Sequence, residues 1–168
     1  MKITLMLALL FIISAVQNTR DAATFITTAQ INQLLSCNVK DGVSKLSGKY
    51  CSRWSADNKT GVIVQFNDFH TPNDGAMMIK NAFENSAKMV KDGQKASGFY
   101  TEVTPFAEGG TSAFIMTAPG TEFSPGYNTR TNFLLGSCMV TVDTRGIDRS
   151  KVIPKLGEIY RIIKGNFK

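Results

Sequence analysis

The longest apolar stretch of the chain lies at its N-terminus. Residues 3–16 are apolar except for Thr4 and Ser14, and Lys2 places a positive charge in front of them. A transmembrane helix needs about 20 apolar residues, so this stretch is too short to cross a bilayer. A short apolar segment behind a positive charge is instead typical of a secretory signal.

The end of this stretch carries small residues. Ser14 and Ala15 are the kind of residue that a signal peptidase requires near its cleavage point. We therefore predict a signal peptide over residues 1–16, a periplasmic or secreted protein, and a single mature domain over residues 24–168. An uncleaved N-terminal anchor is the alternative, because the cleavage zone is not a clean A-x-A sequence. Once cleaved, the mature domain would carry no stable membrane anchor.

Apolar residues recur at helical spacing in three further places. The first predicted helix opens at residues 27–30 and is short. The second follows a turn over residues 71–75 and extends to about residue 92, with a polar opposite face. The third covers residues 150–164. The apolar positions of the three helices are Ile31, Leu34 and Leu35; Ala76, Ile79, Phe83, Ala87 and Val90; and Val152, Leu156, Ile159 and Ile163.

The remaining ordered stretches predict strands. They cover residues 50–55, 62–69, 99–106, 112–118, 131–135 and 138–142. Apolar and polar residues alternate in the second of them, and Gly136-Ser137 is a two-residue turn between the last two. The resulting order, α-β-β-α-β-β-β-β-α, has three helices and about six strands. It predicts an α+β fold in which a mostly antiparallel sheet packs against the helices.

A long segment rich in glycine and proline, residues 117–130, is predicted to be a loop between two strands. Aromatic residues on such a loop often form a recognition surface, because a rigid scaffold holds them in place. Together with Phe99 they would surround a pocket between the sheet and the helices; the alternative is that they fill the core. The predicted ligand-binding residues are Trp54, Tyr100, Phe123, Tyr127 and Arg130.

Three cysteines remain after the predicted signal. Cys37 and Cys51 would close a loop of about 15 residues, and the chain-entropy model gives such a bridge ~3 kcal/mol. The oxidising environment outside the cytoplasm favours this disulfide, although pairing of either residue with Cys138 is an open alternative. Cys138 lies in an apolar stretch, where an unpaired cysteine behaves as a small buried hydrophobe.

Composition and charge narrow the choice of partner. The chain is 43% hydrophobic and 19% charged, as is typical of a globular domain, and its net charge of +6 is compatible with an acidic partner. A solvated basic face is the simpler interpretation of that charge. We expect no nucleic-acid partner, because basic and aromatic residues are not interleaved.

The residues that could carry catalysis are few. His70 is the single histidine, and Asp68 and Asp74 flank it in the sequence. The chain has no G-x-S-x-G elbow and no cysteine-histidine spacing typical of zinc sites. We therefore expect no catalytic residue, no metal site and no cofactor, with His70 on an exposed loop.

The element order, with Cys51-Ser52-Arg53-Trp54 opening the first strand and an amphipathic helix closing the chain, resembles a group of small exported bacterial domains. The group includes actinobacterial lipoproteins with a C-x-W element and the extracellular sensor domain of the mycobacterial receptor kinase PknH. The resemblance would cover roughly residues 24–164. It implies the PsbP-like α/β sandwich fold and a binding module without established catalysis.

Three hypotheses for function follow. The leading one is an exported, non-enzymatic domain that binds a protein partner or a small ligand through residues 117–130 and the adjoining sheet. The second is a periplasmic immunity-type inhibitor of a toxin or hydrolase. The third is a hydrolase that uses His70.

Overall fold

The computed structural model describes residues 20–121 and 124–167. The predicted signal peptide, residues 1–16, and Phe123 lie outside these ranges. In the described chain no helix is long and apolar enough to cross a membrane.

The described residues form one sheet of seven antiparallel strands together with helices, which confirms the predicted α+β class. The helices are α1 Ala22–Phe25, α2 Thr28–Leu35, α3 Pro72–Lys91, α4 Arg149–Val152 and α5 Leu156–Asn166. The strands are β1 Val43–Lys45, β2 Tyr50–Trp54, β3 Gly61–Asp68, β4 Glu102–Pro105, β5 Phe114–Thr121, β6 Ser124–Leu135 and β7 Cys138–Ile147. Across the sheet the strands lie in the order β1-β2-β3-β7-β6-β5-β4, so β7 is central.

Helices α2 and α3 both begin at threonine capping boxes. The Thr71 hydroxyl accepts a hydrogen bond from the backbone N–H of Asp74 at 3.2 Å, and the Asp74 carboxylate accepts one from the N–H of Thr71 at 3.1 Å. Thr27 and Gln30 make the same reciprocal pair at the start of α2. These contacts satisfy N–H groups that have no partner inside the helix, and so they fix where each helix begins.

Both faces of the sheet are packed. On β5, Ile115 faces a large core that is covered by α1, α2 and α5, whereas Phe114 and Met116 face a smaller core beneath α3. This sorting follows from the two-residue period of a strand, which sends neighbouring side chains to opposite faces. We call the side covered by α1, α2 and α5 the first face and the side covered by α3 the second face.

Arg53 connects the N-terminal helices to the first face of the sheet. It is 3% exposed, and its guanidinium donates to the carbonyls of Ala23 and Ile26 at 2.9 Å and to the Thr28 hydroxyl at 3.0 Å. A buried guanidinium needs such acceptors, because an unpaired buried charge costs several kcal/mol. The α1–α2 connection is therefore held over β2 by this one side chain.

The prediction of a loop over residues 117–130 is wrong. In the structure residues 117–121 belong to β5 and residues 124–130 to β6, and the two strands pair with Thr117 opposite Thr129 and Ala118 opposite Asn128. Pro119 is tolerated because the register shifts between it and Thr121. A proline has no N–H to give to a ladder, and so it is accepted at such an irregularity.

The structure differs from the sequence-based expectation in three smaller points. The strand predicted over residues 99–106 is confined to β4, the C-terminal helix is divided into α4 and α5, and β1 was not predicted. The division falls at a 3₁₀ turn, Ile153–Lys155, which contains Pro154, since proline lacks the N–H of a regular helix. β1 has three residues, all exposed, and therefore shows no apolar alternation to predict it.

The predicted Cys37–Cys51 disulfide is not formed in the structure, where Cys37, Cys51 and Cys138 are all thiols and no pair lies at disulfide distance. The Cys51 side chain is fully buried in the larger core. The Cys37 thiol instead lies 3.4 Å from the Asn32 side-chain oxygen, which also accepts from the N–H of Val39 at 2.9 Å. Asn32 thus fixes the turn after α2 and keeps Cys37 there. Cys138 is buried, as the apolar stretch predicts.

The three thiols should differ in reactivity. Burial raises the pKa of all three, and burial together with the negative charge of Asp68 raises the pKa of Cys138 to about 12. At about pH 8 the native protein should therefore leave Cys51 and Cys138 unlabelled by iodoacetamide, while the half-buried Cys37 reacts slowly. Peptide mass spectrometry would measure this.

The control is the protein unfolded in guanidinium chloride without reductant, in which all three cysteines should react. If Cys37 and Cys51 became reactive only after reduction, a disulfide between them would be shown and the thiol assignment would be wrong.

Candidate functional site

A cavity of about 700 Å³ opens on the second face of the sheet. Four parts of the chain form its walls: the β2–β3 turn, the segment after α3, the β5–β6 hairpin, and the adjoining parts of β6 and β7. The residues that line it are Trp54, Asn58, Lys95, Phe99, Thr101, Pro119, Gly120, Thr121, Asn128 and Arg145.

Trp54 forms one wall because it is the last residue of β2 and has a glycine opposite it. Gly61 is its partner on β3, and a Cβ atom at Gly61 would lie 2.5 Å from the indole carbons Cε3 and Cζ3. The indole therefore lies against the bare backbone of Gly61. Trp54 is half-buried in this position and shows part of its ring to the cavity.

Phe99 and Lys95 reach the cavity from a tight turn after α3. The backbones of Ala96 and Tyr100 exchange two hydrogen bonds of 2.9 Å, and Ser97 and Gly98 both have positive φ. This geometry leaves Phe99 36% exposed, whereas Tyr100 is only 1% exposed. The two rings are 4.1 Å apart between centroids, so the buried ring supports the exposed one.

A buried polar cluster holds this turn on the sheet. The Asp143 carboxylate on β7 accepts two hydrogen bonds from Arg130, from Nε at 2.7 Å and from a terminal nitrogen at 2.8 Å, and one from the Tyr100 hydroxyl at 3.1 Å. Burial, and then the charge of Asp143, raise the pKa of Tyr100, while the hydrogen bonds to Asp143 raise that of Arg130. Tyr100 is therefore a neutral donor at any physiological pH.

Among the described residues, the two charged side chains that line the cavity are both cations. Lys95 is exposed at its mouth, and Arg145 is half-buried on β7, two residues after Asp143. Within residues 20–121 and 124–167, no carboxylate side chain lines the cavity. The Arg145 Nε atom is buried and has no hydrogen-bond partner in this part of the chain.

The five predicted ligand-binding residues are distributed differently from the expectation. Trp54 lines the cavity, whereas Tyr100 and Arg130 are engaged with Asp143 and support it. Tyr127 lies elsewhere, with the Arg149 guanidinium 4.9 Å from its ring centroid. Phe123 is outside the described residues.

Sequence reasoning missed Lys95, Asn128 and Arg145 as wall residues. Asn128 and Arg145 are polar residues within strands, and Asn128 is only 6% exposed. Their sequence neighbours include Thr129, Thr144 and Gly146, so neither segment shows the alternation of apolar and polar residues that would assign its faces. The sequence therefore carried no clear signal for these two wall residues.

His70 is exposed and follows the end of β3. The two flanking carboxylates have other partners: Asp68 pairs with Arg20 at 3.1 Å and Lys49 at 3.3 Å, and Asp74 caps α3. The structure therefore does not assemble the His–carboxylate unit that the hydrolase hypothesis needs. Among the described residues there is also no group of three or more His, Cys, Asp or Glu side chains placed to hold a metal ion.

Comparisons with protein-family models, curated proteins and solved structures found no match to this chain. The resemblance to PsbP-like exported domains thus stays a prediction.

Removal of one partner from the buried Arg130–Asp143 pair should be strongly destabilising. Asp143→Ala leaves the Arg130 charge without its partner, and breaking such a pair costs about 3–5 kcal/mol. Tyr100→Phe removes a single hydrogen bond and should cost about 0.5–1.5 kcal/mol. Urea unfolding followed by circular dichroism would measure both; equal losses for the two variants would contradict the assigned roles.

Gly61 should be required for the position of Trp54. Gly61→Ala places a methyl group against the indole, and overpacking of this kind costs about 1–3 kcal/mol. Since Trp54 is the only tryptophan, its fluorescence maximum should shift in the variant. Gly165→Ala is the matched control, because its Cβ would meet nothing within 4 Å. An unchanged spectrum and stability for Gly61→Ala would show that Trp54 does not depend on this glycine.

Proposed function

We propose that the protein is a non-enzymatic binding domain that takes a small ligand into the cavity bounded by Trp54, Phe99 and Arg145. The observation that carries the proposal is the cavity itself. Its volume of about 700 Å³ lies within the range of about 300–1,000 Å³ that is usual for small-molecule sites.

The composition of the walls supports binding. Ligand sites combine apolar and aromatic surface with a few polar groups that orient the ligand. Here Trp54 and Phe99 supply aromatic surface, while Asn58, Thr101 and Arg145 supply polar groups. Phe99 is a large apolar residue that is 36% exposed, and contact with a ligand would remove that surface from water.

The wall is also preorganised. The Asp143 cluster ties Tyr100 to the central strands, and Tyr100 supports Phe99 from below. A site whose side chains are already fixed loses less conformational entropy when the ligand binds. The Tyr100, Arg130 and Asp143 side chains bond to one another, so their part in the proposed function is to position the wall.

We propose in addition that this binding takes place outside the cytoplasm. The support is the sequence of residues 1–16, with its single leading charge and short apolar segment.

The test is binding of N-phenyl-1-naphthylamine, a neutral aromatic probe, to the purified protein. We expect saturable one-to-one binding with energy transfer from Trp54, the only tryptophan in the chain. Phe99→Ala should weaken it by about fivefold, the value of one aromatic contact. Met77→Ala, which removes a 55% exposed apolar side chain on α3, is the control and should bind as wild type does.

Two results would contradict the proposal. One is a wild-type protein that shows no saturable binding of the probe. The other is a Phe99→Ala variant that is folded by circular dichroism and binds with wild-type affinity, because the probe would then occupy another surface.

A further inference from the structure

The arrangement of side chains around Gly61 places a cation beside the aromatic wall. Trp54, Gly61 and Arg145 are direct partners across β2, β3 and β7, so their side-chain positions belong to one face of the sheet. Adjacent strands are about 4.8 Å apart, which separates the Trp54 and Arg145 backbones by roughly 10 Å. Because Gly61 has no side chain, the Trp54 indole lies over the Gly61 backbone, on the side of Trp54 that faces Arg145.

Arg145 differs from the other arginine on the second face. Arg130 makes two hydrogen bonds to the Asp143 carboxylate, so its charge is compensated within the protein. Arg145 makes no ion pair within the described residues, and its buried Nε donates to no acceptor there. A desolvated donor without an acceptor is destabilising, and an anionic ligand would remove that cost.

The charges also decide between two ligand types that an aromatic wall could accept. Aromatic side chains alone bind quaternary ammonium groups through their π faces. Lys95 and Arg145, however, would repel a cation, and no carboxylate in the described lining offsets them. Both charges attract an anion, with Lys95 acting from the mouth and Arg145 from the floor.

We propose that the cavity selects ligands with an aromatic body and one carboxylate or sulfonate group, which Arg145 binds while Trp54 and Phe99 contact the body. The inference rests on the proposed function, since it names the class of ligand for the same cavity. A planar guanidinium suits a two-oxygen anionic group, because its parallel N–H groups match the spacing of the oxygens.

Two probes with the same ring system test the inference. The neutral probe is N-phenyl-1-naphthylamine, and 8-anilinonaphthalene-1-sulfonate adds a sulfonate to that body. The wild-type protein should bind the sulfonate about tenfold more tightly at low ionic strength, as a charge-assisted hydrogen bond provides. Added salt should reduce this preference and leave the neutral probe nearly unaffected.

Substitution of Arg145 should separate the two probes. Arg145→Met should weaken sulfonate binding by about tenfold and change affinity for the neutral probe by less than about twofold. Arg161→Met on α5 removes the same charge from an exposed residue whose guanidinium donates to the Gly157 carbonyl of its own helix, and it should leave both affinities unchanged.

The outcomes distinguish the two proposals. If the neutral probe saturates and the sulfonate binds no more tightly, the anion preference is overturned and the binding function stands. If the neutral probe does not saturate, the proposed function itself is overturned. Equal loss of sulfonate binding in Arg145→Met and Arg161→Met would assign the preference to net charge and overturn the role of Arg145. If Arg145→Met fails to fold, the wild-type protein provides the test. A preference for the sulfonate that added salt does not reduce would then overturn the proposal.

Discussion

The Asp143 carboxylate is 3% exposed in the central strand of the sheet, and several elements of the structure are arranged to compensate its charge. An isolated charge at such a depth would cost several kcal/mol. Arg130 meets it directly across the β6–β7 pair, and the Tyr100 hydroxyl adds a third donor. The register of two central strands and the position of the segment after α3 are thus coupled to one side chain. Since Phe99 is next to Tyr100, the same coupling places the aromatic wall of the cavity.

The cavity exists because three requirements of the fold coincide on one face. Gly61 has no side chain, so the Trp54 indole lies against its backbone and forms one wall of the cavity. The turn at Ser97 and Gly98 presents Phe99 outward while burying Tyr100. The two-residue period of β7 puts Arg145 on the same face as Asp143. The buried ion pair and the proposed binding site therefore share β7. Asp143 carries a charge that Arg130 compensates, and Arg145, two residues later, makes no ion pair among the described residues.

Much of the fold could be predicted from the sequence where the signal is local. Helix α3 has a threonine cap and a repeating apolar stripe, and the β6–β7 turn at Gly136-Ser137 lies where predicted. The failures occur where the decisive interaction is distant. Pro119 and Gly126 indicated a loop, yet the β5–β6 ladder tolerates the proline at a register shift and the glycine at φ +92°. The spacing of Cys37 and Cys51 allowed a disulfide, but Asn32 holds one thiol and the core encloses the other.

The candidate site shows why residue type alone is insufficient. Arg53, Arg130 and Arg145 are all arginines within strands, and nothing local distinguishes them. The fold gives Arg53 acceptors for Nε and Nη2, although its Nη1 has none among the described residues, and it gives Arg130 a carboxylate. The buried Nε of Arg145 has no acceptor among the described residues, and Arg145 also lines the cavity. The Arg53 and Arg130 guanidinium groups thus make hydrogen bonds within the protein. The Arg145 side chain lies beside an aromatic wall with its Nε atom buried. A ligand anion there would supply the missing hydrogen-bond acceptor. The case for Arg145 as the proposed binding residue therefore rests on its place beside the cavity and on the partner that the fold does not supply, and both become visible only when the strands are paired.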